Sequence, residues 1–384
     1  MSRAQSSDLE TGRSAPAALP VLVRTLRATQ GGYFGYLTLN APATLNCLSL
    51  DMIRIIACAL KAWAEDDKAI GVILDADGGK AFCAGGDLRH LYREIADGSP
   101  SYRHAEAFFA EEYALDHLIH AYPKPFMAWG HGIVMGGGVG LMVGASHRVV
   151  TLGTVMAMPE VSVGLYPDVG GSWFLRRMPG QVGLFLALTG TQLNAADAMF
   201  CGLADIRLPH ENKVSVLAAI AGASWRTDVE ANRRSMTGLL ARFENETSVA
   251  RSEVRDHIDI INTLFAGDDL GAIFRRVSEF RGADSWLLKA FRGFMNGSPT
   301  SAGVSTALWR VTKSMSLAQV LRLEYTVSLN MCAQPDFVEG IRAVLVDKTR
   351  DPSWSPPSIA ALSDLSITRI LQAEHHSVHL EALA

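Results

Sequence analysis

Cysteine is scarce in this chain of 384 residues: Cys47, Cys58, Cys83, Cys201 and Cys332 are scattered, with no CxxC pair among them. Such spacing supports neither a disulfide framework nor a zinc or redox-pair motif, and it fits a reducing compartment. Charge is also sparse, at 19% of residues with a formal net charge of −4. No basic field is available to hold a phosphate backbone by counterion release, so nucleic acid is not an expected partner. The leading stretch MSRAQSSDLETGRSAPAA lacks the apolar core of a signal peptide, and Asp8 and Glu10 argue against a transit peptide. Residues 1–19 are therefore expected to form a flexible tail.

Long apolar runs are missing too, with one imitation of a membrane span at residues 126–145, where His131 is the only strongly polar member. Seven of those residues are glycine, and Pro123 and Pro125 stand just upstream. Glycine at that density breaks helix continuity, so a buried strand, a loop and a short helix are expected there, and no membrane association.

Nucleotide fingerprints fail as well. No register of HGIVMGGGVGLMVG places glycine at all three positions of GxGxxG, and GGKAF has neither the spacing nor the Ser/Thr of a phosphate-binding P-loop. The eleven histidines show no HExxH or comparable zinc spacing, and no GxSxG elbow occurs. His375, His376 and His379 read as solvated tail residues.

What the chain does contain is alternation. Between residues 20 and 210, short apolar strands at 36–40, 71–77, 125–130 and 147–153 alternate with helical patterns, the mark of an α/β unit. Ser49 is placed to cap a helix in which Met52, Ile56, Leu60 and Trp63 recur at three- and four-residue intervals, a stripe that belongs in a core. Beyond about Asn212 only helical periodicity remains, as in Val254, Ile258, Ile261 and Phe265, so residues 211–384 are expected to form a helical C-terminal region. DPSWSPPS (351–358) reads as an extended connector before a terminal helix.

Two strand-to-glycine junctions stand out: GVILDADGGKAFCAGGD (71–87) and KPFMAWGHGIVMGGGVG (124–140). Glycines at such junctions leave backbone N–H groups unobstructed by a Cβ, and a helix N-terminus adds partial positive charge. Two N–H groups aimed at one point form an oxyanion hole. Taken singly, each junction is equally well explained by tight strand-to-helix packing.

Together, AFCAGGD (81–87), HGIVMGGGVG (131–140) and MPEVSVGLYPDVGG (158–171) resemble the coenzyme-A thioester enzymes of the crotonase, or enoyl-CoA hydratase/isomerase, superfamily. FFAEEYALDHLIHAYPKP (108–125), SPTS (298–301) and DFVEGIRAVLVDKTRDPSW (336–354) extend the resemblance toward its thioester-hydrolysing branch, over nearly everything after residue 20. The resemblance implies an α/β, crotonase-like spiral of ββα units with a helical C-terminal region. It implies an acyl-CoA substrate, with 3-hydroxyisobutyryl-CoA of valine breakdown foremost, and no cofactor, CoA being part of the substrate.

By the same resemblance, the backbone N–H groups of Gly86 and Gly137 hold the thioester oxygen, with Ala84 and Gly85 lining the substrate. Glu160 carries the attack on the carbonyl, and Asp168 binds the 3-hydroxyl or shares the acid/base work. On residue type alone, acids after proline, as both of these are, usually cap helices or sit in turns. Glu112 maps to a substrate contact, although an acidic pair such as Glu111–Glu112 on an amphipathic helix is normally a solvated face. Lys80 is a weaker candidate for the CoA phosphates. Cys83 is expected to be a packing residue, because no histidine in the motif activates it.

Gly140 decides between activities. Typical hydratases of the superfamily carry a glutamate there, and glycine has no proton to transfer, so hydrolysis is expected over hydration. The alternatives are an enoyl-CoA hydratase/isomerase with altered acid/base groups and a non-catalytic acyl-CoA-binding protein; some relatives bind RNA. The expected location is cytoplasmic, or the mitochondrial matrix in a eukaryote. Oligomeric state stays open: homo-oligomers are common in the superfamily, while a helical C-terminal region can instead fold back on its own subunit.

Overall fold

The computed structural model describes residues 19–96, 102–244, 251–372 and 375–383. The expected tail at 1–19 falls outside the described residues except for Leu19.

Among the described residues, nine strands fall into two sheets. β1 (Val21–Arg27), β2 (Tyr33–Leu39), β3 (Ala69–Ala76), β5 (Phe126–Gly130), β7 (His147–Val150) and β9 (Ile206–Arg207) form a six-stranded sheet in that order. β4 (Ala81–Cys83), β6 (Ile133–Met135) and β8 (Val155–Ala157) form a parallel three-stranded sheet. Only the β1–β2 hairpin of the larger sheet is antiparallel. Each successive pair, β3–β4, β5–β6 and β7–β8, leaves one strand in each sheet, and this advance is the spiral that the sequence motifs imply.

Burial explains the strand sequences. β3, AIGVILDA, is buried along nearly its whole length, as a central parallel strand covered on both faces must be. Ile73, with Phe34, Met127, Trp129 and Val149, faces one layer formed by α8 (Lys213–Gly222) and α9 (Val229–Ala241) through Val216, Ile220, Met236, Leu239 and Leu240. Val72 and Leu74 face the main core, which includes Ile53, Ile56 and Leu60 of α1 (Leu50–Glu65). Ser49 caps α1 as the sequence suggests, its Oγ accepting from Met52 N at 3.2 Å.

α2 (Leu88–Ala96) and the long α3 (Arg103–His120) follow β4, and α4 (Gly137–Val143) follows β6. The glycine-rich stretch 126–145 is thus divided among β5, β6 and α4, and among the described residues no helix is long and apolar enough to cross a membrane. After β8 come α5 (Gly171–Phe174), α6 (Val182–Thr189) and α7 (Ala195–Phe200). The stripe Val254–Phe265 is not one helix: it breaks at His257 between α10 (Glu253–Asp256) and α11 (Ile258–Leu264). α12 (Leu270–Ser278), α13 (Ser285–Asn296), α14 (Pro299–Val311), α15 (Leu317–Cys332) and α16 (Pro335–Ile341) complete the packing, before α17 (Asp364–Gln372) and α18 (Val378–Glu381). α15 lies against α3 and is started by a capping box between Ser316 and Gln319.

Candidate active site

Both glycine junctions meet at one place. Leaving β4, the chain is clamped by Leu48, whose N–H donates to Gly85 O at 2.8 Å and whose carbonyl accepts from Asp87 N at 3.0 Å. Gly85 has φ +104°, a left-handed conformation suited to glycine, and a β-carbon at Gly86 would lie 2.8 Å from Phe108 Cζ. Leaving β6, Gly136 turns at φ +50° and Gly137 opens α4, where first-turn N–H groups have no partner within the helix. A β-carbon at Gly137 would stand 3.5 Å from Gly86 N and 2.3 Å from Glu112 Oε1. The two backbones and a carboxyl thus converge where a side chain at Gly137 would intrude, while one at Gly86 would strike the Phe108 ring.

Glu160 begins a short helical turn at Glu160–Ser162 and is buried. Its Oε1 lies 3.0 Å from where a β-carbon of Gly136 would be, which sets this acid against the turn that presents Gly137. Asp168 is buried as well, and its Oδ2 accepts from Tyr113 Oη at 2.7 Å. Ser328 Oγ of α15 sits 2.7 Å from Tyr113 Oη and 2.9 Å from Tyr166 Oη, and Tyr166 also donates to Glu324 O at 2.8 Å. The turn holding Asp168 is strained: Val169, a β-branched residue, has φ +51°. Glu324 pins the next residues, accepting from Gly170 N at 2.7 Å and Ser172 N at 2.9 Å.

Of the acidic pair on α3, Glu111 takes the outward position and pairs with Arg54 at 2.7 Å, whereas Glu112 is buried. The solvated-face expectation therefore holds for Glu111 and fails for Glu112, because the helix phase turns residue 112 toward Gly137. Ala84 and Gly85 lie in the clamped loop, and Lys80 is exposed. Cys83 is fully buried, and desolvation pushes its thiol well up, so it packs and does not ionise.

Sequence reasoning missed Asp116 and Glu324. Asp116 lies one turn beyond Glu112 on α3, and a β-carbon at Gly140 would be 2.8 Å from its Oδ1 and 3.0 Å from its Oδ2. The space left by the absent side chain at 140 is occupied by a carboxyl from another helix. The four-residue spacing from Glu112 was the available signal.

Electrostatically these acids are crowded. Burial raises Glu112, Asp116 and Glu160 well above the usual carboxylate range, and the charge of Asp168 raises all three further. Burial also lifts Asp168, to about 6, against the lowering effect of the Tyr113 hydrogen bond, and lifts Glu324 to about 8. Glu112 Oε1, both oxygens of Asp116 and Glu160 Oε2 are buried without a hydrogen-bond partner among the described residues. Unsatisfied buried carboxyl oxygens are uncommon in folded proteins, and here four lie on three acids beside the two glycine junctions.

The family model for enoyl-CoA hydratase/isomerase matches residues 34–371. The chain belongs to this family. It is 38% identical over 340 residues to the mitochondrial 3-hydroxyisobutyryl-CoA hydrolase of Xenopus tropicalis, covering 88% of this chain and 86% of that protein. Identity to the human enzyme of the same name is 35% over 339 residues, covering 87% and 84%. Among solved structures, one described as a carnitinyl-CoA dehydratase from Mycobacterium thermoresistibile has TM-score 0.82 at 33% identity, covering 94% of this chain and 99% of that one. Another, described as an enoyl-CoA hydratase from Rhodobacter sphaeroides, has TM-score 0.80 at 32% identity, covering 95% and 99%. The crotonase-like spiral with added C-terminal helices is the fold of this chain. Among the described residues no group of three or more His, Cys, Asp or Glu side chains is placed to hold a metal ion.

Proposed function

We propose that this protein hydrolyses short 3-hydroxyacyl-CoA thioesters, 3-hydroxyisobutyryl-CoA of valine breakdown first among them. The observation that carries this reading is the approach of Gly86 N to Gly137 with Glu160 against the same turn, while position 140 offers no side chain to protonate an enoyl carbon. The hydrolase relatives support the choice of reaction.

In this mechanism the amides of Gly86 and Gly137 receive the thioester oxygen as it gains negative charge, and each donor lowers the barrier by about 3 kcal/mol. Ala84 and Gly85 line the acyl group, and Glu112 borders the Gly137 amide. Glu160 supplies the attack on the carbonyl carbon, with its own oxygen or through a water it deprotonates; both routes consume one water overall. Above about pH 6 the Glu160–Asp168 pair holds one proton between two carboxyls. Because the charge of Asp168 raises Glu160, that proton rests on Glu160 in the free site; it passes to Asp168, with the substrate 3-hydroxyl bridging the two, to free Glu160 for attack. CoA enters only as part of the substrate.

Residues 20–210 supply every group assigned to the thioester, and residues 211–384 brace them through Glu324 and Ser328. All these groups lie in one chain, so the chemistry does not depend on self-association. The proposed location is a reducing compartment, the cytoplasm or, in a eukaryote, the mitochondrial matrix, with neither nucleic acid nor membrane as a partner. The test is thiol release from 3-hydroxyisobutyryl-CoA by wild type and Glu160→Gln. The variant is expected to lose on the order of a hundredfold or more in kcat while melting normally. A folded Glu160→Gln with wild-type turnover refutes the assignment.

A further inference from the structure

The titratable residues of α3 do not stop at the reacting centre. Glu112, Asp116 and His120 recur every four residues and so share one helix face. That face lies along the glycines of α4: a β-carbon at Gly137 would meet Glu112, one at Gly140 would meet Asp116, and one at Gly144 would stand 2.9 Å from His120 N. The three residues thus form a column running from the proposed oxyanion hole to the far end of α4.

Beside the lower part of this column is a cavity of about 20 Å³, lined by Asp116, His120, Gly140, Gly144, Val169 and Trp173 among others. It adjoins a wider cavity of about 400 Å³, and His120, Val143, Gly144, Trp173 and Phe174 line both. The wider one carries Lys124, Arg148, Arg177 and Arg233. A space near 20 Å³ holds one water and is too small for a hydroxy acid or any part of CoA. Asp116 is 95% buried, and neither of its carboxyl oxygens has a partner among the described residues.

Thioester hydrolysis gives such a passage a task. The water oxygen bonds to the carbonyl carbon and the C–S bond breaks. The CoA sulfur keeps one water proton as a thiol, and the new carboxylic acid loses the other, since at pH 7 an ordinary thiol is protonated and an ordinary carboxyl ionised. One proton per turnover must leave a site already crowded with acids.

We propose that the small cavity behind Gly140 is the exit for this proton: Asp116, itself protonated, gives its own proton through one water to His120 and the cationic cavity beyond as its other oxygen receives the proton from the Glu160–Asp168 pair. The charged and titratable groups around Asp116 are Glu112 on its own helix, Asp168 and Glu324 from the elements packed against it, and His120 one turn on. Burial, followed by His117, Arg177 and Arg148, lowers the pKa of His120, so at neutral pH it is an uncharged acceptor that hands the proton outward. This inference rests on the hydrolase reading.

The experiment follows thiol release and proton release together, in weak buffer with a pH indicator, for wild type, Asp116→Ala, Asp116→Leu and His120→Phe. Asp116→Ala is expected to lose about tenfold or more in kcat with KM unchanged. Sodium formate, which fits the space left by the carboxyl, restores its turnover, whereas it does not restore Asp116→Leu, whose side chain fills that space. His120→Phe, nearer the surface, shows the same loss of kcat with an enlarged solvent deuterium effect. Wild-type kcat in either Asp116→Ala or His120→Phe overturns the route, as does a folded Asp116→Ala that formate does not rescue. Absence of thiol release from wild type overturns the hydrolase reading itself, a separate outcome.

Discussion

Tyr113→Phe isolates the hydrogen bond that sets the charge of the proposed acid pair. Tyr113 donates to Asp168 Oδ2 at 2.7 Å in a site where Asp168 is fully desolvated, and Asp168 nevertheless stays near 6. A hydrogen bond to a charged acceptor contributes about 1.5–3 kcal/mol, and it favours the ionised form. Its removal therefore raises the pKa of Asp168 by about one to two units, to about 7–8. The assay is kcat/KM for thiol release between pH 5 and 9. In wild type the rate rises through about 6, as the pair gains its negative charge. In Tyr113→Phe the rising limb moves up by one to two units, so turnover drops several-fold at pH 6.5 and recovers near pH 9. A limb that stays at its wild-type position in a folded variant refutes the reasoning, because Tyr113 would then not govern the charge of the group on which the rate depends.

Three other outcomes follow from the same contacts. Glu324 has a folded-state pKa raised to about 8, so the stability tied to its protonated form is lost as pH rises through that value. Between pH 7 and 9 the unfolding free energy should fall by about 1.4 kcal/mol through this group alone, a melting shift of about 2 °C. Glu324→Gln should reduce the fall by that amount, leaving the share of the other buried acids, as differential scanning calorimetry will show. Glu324→Ala leaves the amides of Gly170 and Ser172 buried without their acceptor and should cost about 3 kcal/mol, read from the denaturant midpoint. Gly140→Glu should neither fold well nor hydrate crotonyl-CoA, since its β-carbon meets Asp116 and Val169, both at 2.8 Å; paired with Asp116→Ala, it should regain only part of its thermal stability, because the contact with Val169 remains.

The parts of the site that local backbone chemistry dictates were legible in the sequence. A strand ending in AGGD or MGGG needs glycine for reasons contained within a few residues, and the positive φ of Gly85 and Gly136 meets that need. Ser49 was legible for the same reason, because a cap acts on the next turn of its own helix. Glu112 was readable only through the family resemblance, since nothing local separates it from the exposed Glu111 beside it. For Asp116 the only local signal was its four-residue spacing from Glu112, and Glu324 gave none. The importance of Asp116 depends on the empty position at Gly140, and the amide partners of Glu324 lie 154 and 152 residues away in the chain. Long-range meeting of side chains is a property of the packed fold, not of periodicity.

Hydrolysis at the proposed site depends on Gly86 and Gly137 together polarising the thioester carbonyl. The most direct measurement is the infrared C=O stretch of carbonyl-13C-labelled 3-hydroxyisobutyryl-CoA bound to Glu160→Gln, compared with the same compound in water. Two amide donors on the oxygen predict a band at clearly lower frequency than in water. A bound band at or above the aqueous frequency would contradict the account, because the carbonyl would then lie outside the reach of those amides.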